Sequence, residues 1–366
     1  MGSSSTKLGY PFCQSGEPGA SPGESTRAPG ISYNSCMSHK AVFFNFARWG
    51  EEARNYVASN KKLGNAGVEV TFADTTLDKN NIQAANDLDI ACVFMDSKVD
   101  AETIEALPNL RFITTLSTGF DHIDLKAAAE RGIVVSSVPV YGENTVAEFA
   151  FALILTLSRK TCEANRRVKE EKRMTTDGLQ GFDLAGKTIG VVGTGRIGKH
   201  AVRMAKGFGM KVIAFDVYHD DAFAKEMGFQ YVTFEELLAQ SDVITIHCPY
   251  LPSTHHLINK DNIHLIKPGA YLINTARGAV VETAAIVGAL KGGQLAGAGL
   301  DVLEEEEAMR VGDVGATREL ISMPNVIVTP HNAFNTKEAA IRIIDTTIEN
   351  IVAFAQGAPI NLVKQS

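Results

Sequence analysis

Three groups late in the chain have the residue types that carbonyl reduction and its reverse require. Arg277 stands in Asn274-Thr275-Ala276-Arg277-Gly278, His331 follows Val328-Thr329-Pro330, and between them the run Glu304-Glu305-Glu306-Glu307 follows Leu300-Asp301-Val302. A guanidinium can bind a carboxylate through paired hydrogen bonds and polarise the carbonyl beside it. An imidazole can give or take the hydroxyl proton near neutral pH, and a carboxylate next to an imidazole favours its protonated form. Singly, each has a plainer reading: Arg277 as a surface turn, His331 as a helix cap, the acidic run as a solvated face. Nothing in the residues themselves chooses among the four glutamates. What joins the groups is their position just past apolar, strand-like runs, since open α/β sheets bind ligands at the carboxyl ends of their strands.

A second constellation lies upstream. The strand-like run 188–192 passes directly into Gly193-Thr194-Gly195-Arg196-Ile197-Gly198. In G-x-G-x-x-G between a strand and a helix, the first glycine makes the tight turn and the second lets a pyrophosphate approach the backbone. The third lets helix and strand pack closely, and the free N–H groups of the helix start favour the phosphate charge. The next strand-like run ends at Asp216, 18 residues after Gly198, where a carboxylate can accept hydrogen bonds from the adenosine ribose hydroxyls. A 2′-phosphate would meet a like charge there, and the following Val217, Tyr218 and His219 include no Arg or Lys. The expected cofactor is NAD rather than NADP.

These residues need a scaffold, and the hydrophobic pattern implies one. Apolar runs at 41–45, 68–73, 90–94, 112–116 and 133–138 read as strands, with helical stretches at 51–62, 101–107 and 125–131. Six more strand runs follow at 188–192, 211–216, 243–247, 270–274, 297–301 and 326–329, and 338–355 reads as a last helix. Strands alternating with helices imply βαβ units and parallel sheets. We therefore expect an α/β fold of two doubly wound units, roughly 37–139 and 140–330, with a cleft between them. Between the units, residues 145–173 contain neither Gly nor Pro over 29 positions and predict one long helix capped by Asn144. Its first half, 146–157, is apolar on several faces, which predicts burial between units or at a subunit interface; the second placement suggests a homodimer.

Composition narrows the remaining classes. The 366 residues are 45% hydrophobic and 21% charged, with a net charge of −7, a balance that argues against a nucleic-acid partner. Residues 1–36 hold 8 Ser, 6 Gly and 4 Pro; such a stretch reads as a disordered tail, and it lacks the apolar core of a signal peptide. The longest apolar stretch, near 149–157, is too short to cross a membrane. Five cysteines (Cys13, Cys36, Cys92, Cys162, Cys248) with no C-x-x-C spacing argue against a disulfide framework or a metal site and for a reducing cytoplasm.

With these motifs in hand, the chain resembles the D-isomer-specific 2-hydroxyacid dehydrogenase family over about 41–363. The resemblance rests on Ser117-Thr118-Gly119-Phe120-Asp121-His122, Val191-Val192-Gly193-Thr194-Gly195-Arg196-Ile197-Gly198, His247-Cys248-Pro249, Asn274-Thr275-Ala276-Arg277-Gly278, Gly299-Leu300-Asp301-Val302 and Thr329-Pro330-His331-Asn332-Ala333-Phe334. It implies a catalytic set of Arg277, Glu306 and His331, choosing Glu306 from the acidic run because the family's glutamate lies five residues after this Asp. It also implies that Gly193, Gly195, Arg196, Ile197, Gly198, Asp216, His247, Cys248, Pro249, Thr275 and Asp301 hold NAD, with Asp301 on the nicotinamide carboxamide. Thr118 and Gly119 would bind the substrate carboxylate, with Tyr141, Arg277 and Phe334 in the same cleft. The family fold sends the last helix back to the first unit, giving a substrate-binding part from 37–139 and 331–366 and an NAD-binding part at 140–330.

Within the family, formate dehydrogenases carry Gln at the Glu306 position. Many phosphoglycerate dehydrogenases add a regulatory domain, whereas this sequence runs 35 residues past His331. Phe334 is similar to the D-lactate and D-2-hydroxyisocaproate branch. The implied substrate is a small 2-oxo acid, pyruvate first, with 2-oxoisocaproate, glyoxylate and hydroxypyruvate as alternatives. An NAD-responsive corepressor-like module, related by fold, is the rival from another class.

Overall fold

Runs of β-branched and aromatic residues without polar alternation suit strands that are buried on both faces. In the computed structural model, which describes residues 38–364 apart from 86, 305, 307, 308, 310, 311 and 313–316, such runs build two parallel sheets. The first holds β1 (His39–Phe44), β2 (Val68–Ala73), β3 (Ile90–Val93), β4 (Phe112–Thr115) and β5 (Val134–Ser136), in the order β2-β1-β3-β4-β5. The second holds β6 (Thr188–Val192), β7 (Lys211–Phe215), β8 (Gln230–Tyr231), β9 (Val243–Ile246), β10 (Ala270–Asn274), β11 (Leu295–Leu300) and β12 (Val326–Val328). Their order is β12-β11-β10-β9-β6-β7-β8. Both are doubly wound: chain order reverses between β1 and β3 in one sheet and between β6 and β9 in the other, and such reversal points open crevices for ligands. The two-residue β8 was not foreseen, because so short a pair carries no period. The proposed tail, 1–36, with Cys13 and Cys36, lies outside the described residues.

The long helix expected over 145–173 is two helices, Glu143–Arg159 and Thr161–Lys169. Lys160 between them adopts the left-handed conformation, φ 52°. The break has a tertiary cause: the Ser158 carbonyl accepts a hydrogen bond from Phe182 N at 3.0 Å, and Gly181 lies so close that a Cβ there would sit 2.0 Å from that oxygen. Nor is Asn144 the cap. Gly142 holds that position without a side-chain bond, and Asn144 lies inside the helix, donating to Glu148 Oε1 at 3.0 Å. The apolar faces of Glu143–Arg159 are used within the chain: Ala147, Ala150, Phe151, Leu153, Ile154 and Leu157 pack into the core of the second sheet. Gly299 of β11 lets the helix settle there, since a Cβ would meet Leu153 at 3.0 Å. The single helix expected over 51–62 likewise divides, into Gly50–Ala58 and Lys61–Asn65, the second capped by Asn60.

The last helix, Lys337–Ala355, starts at a Thr336 cap and packs on the first sheet, with Ile343, Ile344, Ile348, Ile351 and Phe354 against Phe43, Ile90 and Phe112. Phe354 stacks on Phe112, centroids 4.4 Å apart and planes 5° off parallel; burying a ring of this size contributes roughly 2–3 kcal/mol. Asn350 on the same helix is fully buried and donates to Ser137 O (3.0 Å) and Thr114 Oγ1 (3.2 Å), while accepting from Asn361 Nδ2 (2.8 Å). No helix among the described residues is long and apolar enough to cross a membrane.

Candidate active site

The glycine loop occupies the crevice where the second sheet reverses. Gly193 follows β6 with φ +90°, and a Cβ there would lie 2.8 Å from Cys248 N, two residues past β9. That combination of left-handed backbone and neighbouring strand end admits only glycine. Gly198 is equally constrained: a Cβ would meet the Gly193 carbonyl at 2.0 Å. Over Gly195, by contrast, a Cβ would find nothing within 4 Å. Helix Arg196–Gly207 begins there with no side-chain cap on its first N–H groups, so open space and unsatisfied donors coincide where a phosphate would lie.

Asp216, just past β7, accepts from Thr194 N at 2.6 Å and Thr194 Oγ1 at 3.1 Å through one oxygen, and from Tyr218 N at 3.0 Å through the other. Thr194, whose hydroxyl also meets Tyr231 OH at 2.9 Å, was not among the expected residues; only the fold brings it to Asp216. Arg196 reaches across the cleft to Pro139 O at 2.9 Å.

Between the two sheets lies a cleft of about 490 Å³. Thr118, Gly119, Tyr141, Arg196, Ile197, His247, Cys248, Pro249, Thr275, Arg277, Asp301, His331 and Phe334 all line it. Gly193, Gly195, Gly198 and Asp216 are not on that wall but at the neighbouring ends of β6 and β7. A smaller recess of about 180 Å³ shares Gly119, Arg277 and His331 with the cleft and adds Glu306. Two buried polar atoms in the cleft wall have no hydrogen-bond partner among the described residues: His247 Nδ1 and Thr275 Oγ1. Orphaned polar atoms of this kind are costly unless a ligand engages them. Burial lowers the His247 imidazole to about 4, so the ring is neutral. Open backbone at Gly195, uncapped donors, the Asp216 carboxylate and these orphans fit a dinucleotide.

Arg277 stands in a turn shaped by Asn274, whose side chain accepts from Ala276 N (3.0 Å) and donates to Arg277 O (2.9 Å). Its Nε donates to Asp121 Oδ2 at 3.2 Å, and its Nη2 lies against Gly119, where a Cβ would be 1.9 Å away. The guanidinium of the second unit therefore rests directly on the loop after β4. That loop is braced from below: Ser117 Oγ donates to Gly119 O at 2.6 Å and Thr118 Oγ1 to Val138 O at 2.8 Å. Thr115 Oγ1 meets His122 Nε2 at 3.2 Å, and burial lowers the His122 imidazole to about 4.

His331 sits in the left-handed region, φ +52°, uncommon for a residue with a side chain. Its N–H is held by the carbonyls of Asp301 (2.9 Å) and Thr329 (3.0 Å), and Nδ1 meets Glu306 Oε2 at 2.9 Å. That leaves Nε2 as the ring nitrogen for the cleft. Asp301, 1% exposed, shapes the same loop by accepting from Thr329 Oγ1 (2.5 Å), Asn332 N (3.0 Å) and Ala333 N (2.8 Å). Burial pushes its carboxyl up, opposed by those three donors and by His331. The acidic run is resolved where it is described: Glu304 bonds His256 at 2.6 Å, whereas Glu306 bonds His331. Glu305 and Glu307 lie outside the described residues.

Phe334 packs on Phe94 (centroids 5.3 Å) and Trp49 (6.2 Å), and Met95 lines both cavities. Trp49, Phe94 and Met95 escaped the sequence reading because they read equally well as core. Tyr141 contributes a mostly buried phenol, pushed up by that burial.

Comparison with known proteins agrees with this architecture. Residues 151–333 match the family model "D-isomer specific 2-hydroxyacid dehydrogenase, NAD binding domain". A 2-hydroxyacid dehydrogenase A of Aspergillus oryzae is 41% identical over 306 residues, 81% of this chain and 87% of that one. A glyoxylate reductase of Korarchaeum cryptofilum is 39% identical over 288 residues, 78% and 85% of the two chains. Among solved structures, the pyruvate reductase of Chlamydomonas reinhardtii superposes with a TM-score of 0.79 at 37% identity, covering 88% of this chain and 98% of that one. The D-lactate dehydrogenase of Aquifex aeolicus, complexed with NAD and lactic acid, gives 0.77 at 35% identity, covering 87% and 96%. The chain belongs to the D-isomer-specific 2-hydroxyacid dehydrogenase family and is an NAD-dependent oxidoreductase of 2-hydroxy acids.

Proposed function

We propose that the protein reduces a small monocarboxylic 2-oxo acid with NADH, pyruvate to D-lactate first, with Arg277, Glu306 and His331 as its catalytic residues. The observation that carries this reading is the His331–Glu306 pair at 2.9 Å, sharing one recess with Arg277 and the 117–119 loop. In this reading the substrate carboxylate lies against the Thr118 and Gly119 N–H groups and the Arg277 guanidinium. Arg277 also stabilises the charge that grows on the carbonyl oxygen. His331 gives that oxygen its proton from Nε2, and Glu306 supports the imidazolium that donates it. Bound NADH supplies the hydride. Gly193, Gly195, Arg196, Ile197 and Gly198 would hold its pyrophosphate, Asp216 its ribose hydroxyls, and His247, Cys248, Pro249, Thr275 and Asp301 the wall around the nicotinamide. We assign 37–139 with 331–366 to substrate and 140–330 to NAD.

The apolar wall of Phe334, Met95 and Tyr141 supports a short aliphatic side chain, and the D-lactate and pyruvate enzymes among its structural relatives support pyruvate. The glyoxylate reductase relative favours glyoxylate as a second reading. Measuring kcat/KM with NADH across pyruvate, glyoxylate, hydroxypyruvate and 2-oxoisocaproate decides between them. NADH binding with negligible turnover throughout would instead point to a corepressor-like role. His331→Ala should remove most turnover while NADH binding persists; equal loss of both would make His331 structural.

A homodimer in the cytoplasm completes the proposal. Leu155 and Phe208 remain exposed on helix Glu143–Arg159 and beside it, and Cys92, Cys162 and Cys248 are free thiols, as a reducing compartment allows.

A further inference from the structure

We propose that Glu304 and His256 are positioning residues, a two-sided clamp that fixes the chain two residues before Glu306 and so holds that carboxylate on His331. The inference rests on the role proposed for Glu306.

Glu304 uses both carboxylate oxygens. Oε1 meets His256 Nε2 at 2.6 Å, and Oε2 accepts from Thr283 N, the first residue of helix Thr283–Lys291, at 2.6 Å. The side chain is 22% exposed, and although burial works against its charge, the bonds from Thr283 and His256 outweigh that and keep it below the usual carboxylate range. The backbone is pinned as well. Gly278, directly after Arg277, lies against it so closely that a Cβ would meet Leu303 C and O at 2.0 Å and Glu304 N at 2.5 Å.

His256 is itself an unusual choice. It holds a left-handed φ of 48°, its N–H donates to Ala279 O at 2.9 Å, and its carbonyl accepts from Asn259 Nδ2 at 2.8 Å. A residue with a side chain in this conformation is retained when the surroundings over-determine it. His255 stacks on it at 3.9 Å and meets the cleft-lining Tyr250. Glu304 thus ties together the 250–256 loop, the turn after Arg277 and the start of helix Thr283–Lys291. The chain leaves this knot and presents Glu306 to His331 two residues later. A carboxylate on a segment free to move would spread over several rotamers, and misplacing an orienting group by about 1 Å can cost about a hundredfold in rate.

The test uses Glu304→Ala, Glu304→Gln and His256→Ala in the full chain, alone and combined with Glu306→Gln. Glu304→Ala should lower kcat for 2-oxo acid reduction by about tenfold to hundredfold, with NADH affinity, read by NADH fluorescence, within about twofold of the parent. His256→Ala should act in the same direction more weakly. Glu304→Gln, which can still accept from Thr283 N, should recover most of the loss. In the Glu306→Gln background, Glu304→Ala should add less than about a threefold further loss, because the two act through one contact. Parental kcat in Glu304→Ala, full multiplication of the two losses, or a parallel fall in NADH binding would overturn the clamp. Should Glu304→Ala not fold, His256→Ala and Glu304→Gln carry the same comparison. Parental kcat in Glu306→Gln alone would instead defeat the reading of Glu306, a separate outcome.

Discussion

At Gly119 the absence of a side chain is what lets two halves of the site touch. The Arg277 guanidinium occupies the space a Cβ would take; because it is the end of a flexible side chain, Gly119→Ala should move the guanidinium rather than unfold the loop. If Arg277 binds the substrate carboxylate as proposed, losing that charge-assisted hydrogen bond should raise KM for the 2-oxo acid about tenfold or more, with NADH affinity unchanged, measured by steady-state kinetics and fluorescence titration. Cys248 gives a second residue-scale test. Burial pushes its thiol up to about 11, so roughly one molecule in a thousand is thiolate at pH 8. Iodoacetamide at that pH should label exposed Cys162 and leave Cys248, which peptide mass spectrometry can follow; prompt labelling of Cys248 would contradict its burial. Glycine positions were readable because their motif encodes a backbone requirement. For Glu306 only the family spacing after Asp301 offered a choice, since four consecutive glutamates are chemically equivalent until the fold gives Glu304 to His256 and Glu306 to His331.

At the scale of elements, periodicity marked where strands lie and failed at interruptions imposed from outside the segment. Nothing in 145–173 announces the bend at Lys160, because its cause is Gly181–Phe182 arriving on the Ser158 carbonyl. The C-terminal helix shows the same dependence. Its buried Asn350 joins β4, the segment after β5 and Asn361, so Asn350→Ala leaves partners unsatisfied and should cost about 2–3 kcal/mol in urea unfolding, more than a surface Asn→Ala. Tyr56 bonds the same helix, donating to Asp345 Oδ1 at 2.7 Å, a bond that with burial raises its hydroxyl from 10.0 to about 12. The folded state prefers the protonated phenol. Its contribution is therefore complete below pH 10 and lost as pH rises towards 12, a decline that Tyr56→Phe should lack when unfolding is followed across that window.

For the whole molecule, the cleft exists because two sheets, each reversing its winding, face one another through their strand ends. Arg277 to Asp121 and Arg196 to Pro139 O cross it. The outer face of helix Glu143–Arg159 bears on assembly. Most of its apolar residues are spent on the chain's own core, so the proposed homodimer, if built on this helix, would use what is left, including Leu155. Leu155→Glu should convert a dimer to monomer in sedimentation velocity with little change in thermal midpoint; a parental chain that sediments as monomer at all concentrations would remove the dimer from the proposal.

The sequence by itself determined the α/β class, the two sheets, the dinucleotide loop and the residue types of the site, because strand periodicity, glycine geometry and strand-end placement are local properties that neighbouring residues specify. Tertiary structure alone decided that Arg277 rests on Gly119, that Met95 lines the cleft while Trp49 and Phe94 pack on Phe334, and where the long helix breaks. Each of these is a contact between segments distant in the chain, set by how the sheets and helices pack, and no local pattern carries that information.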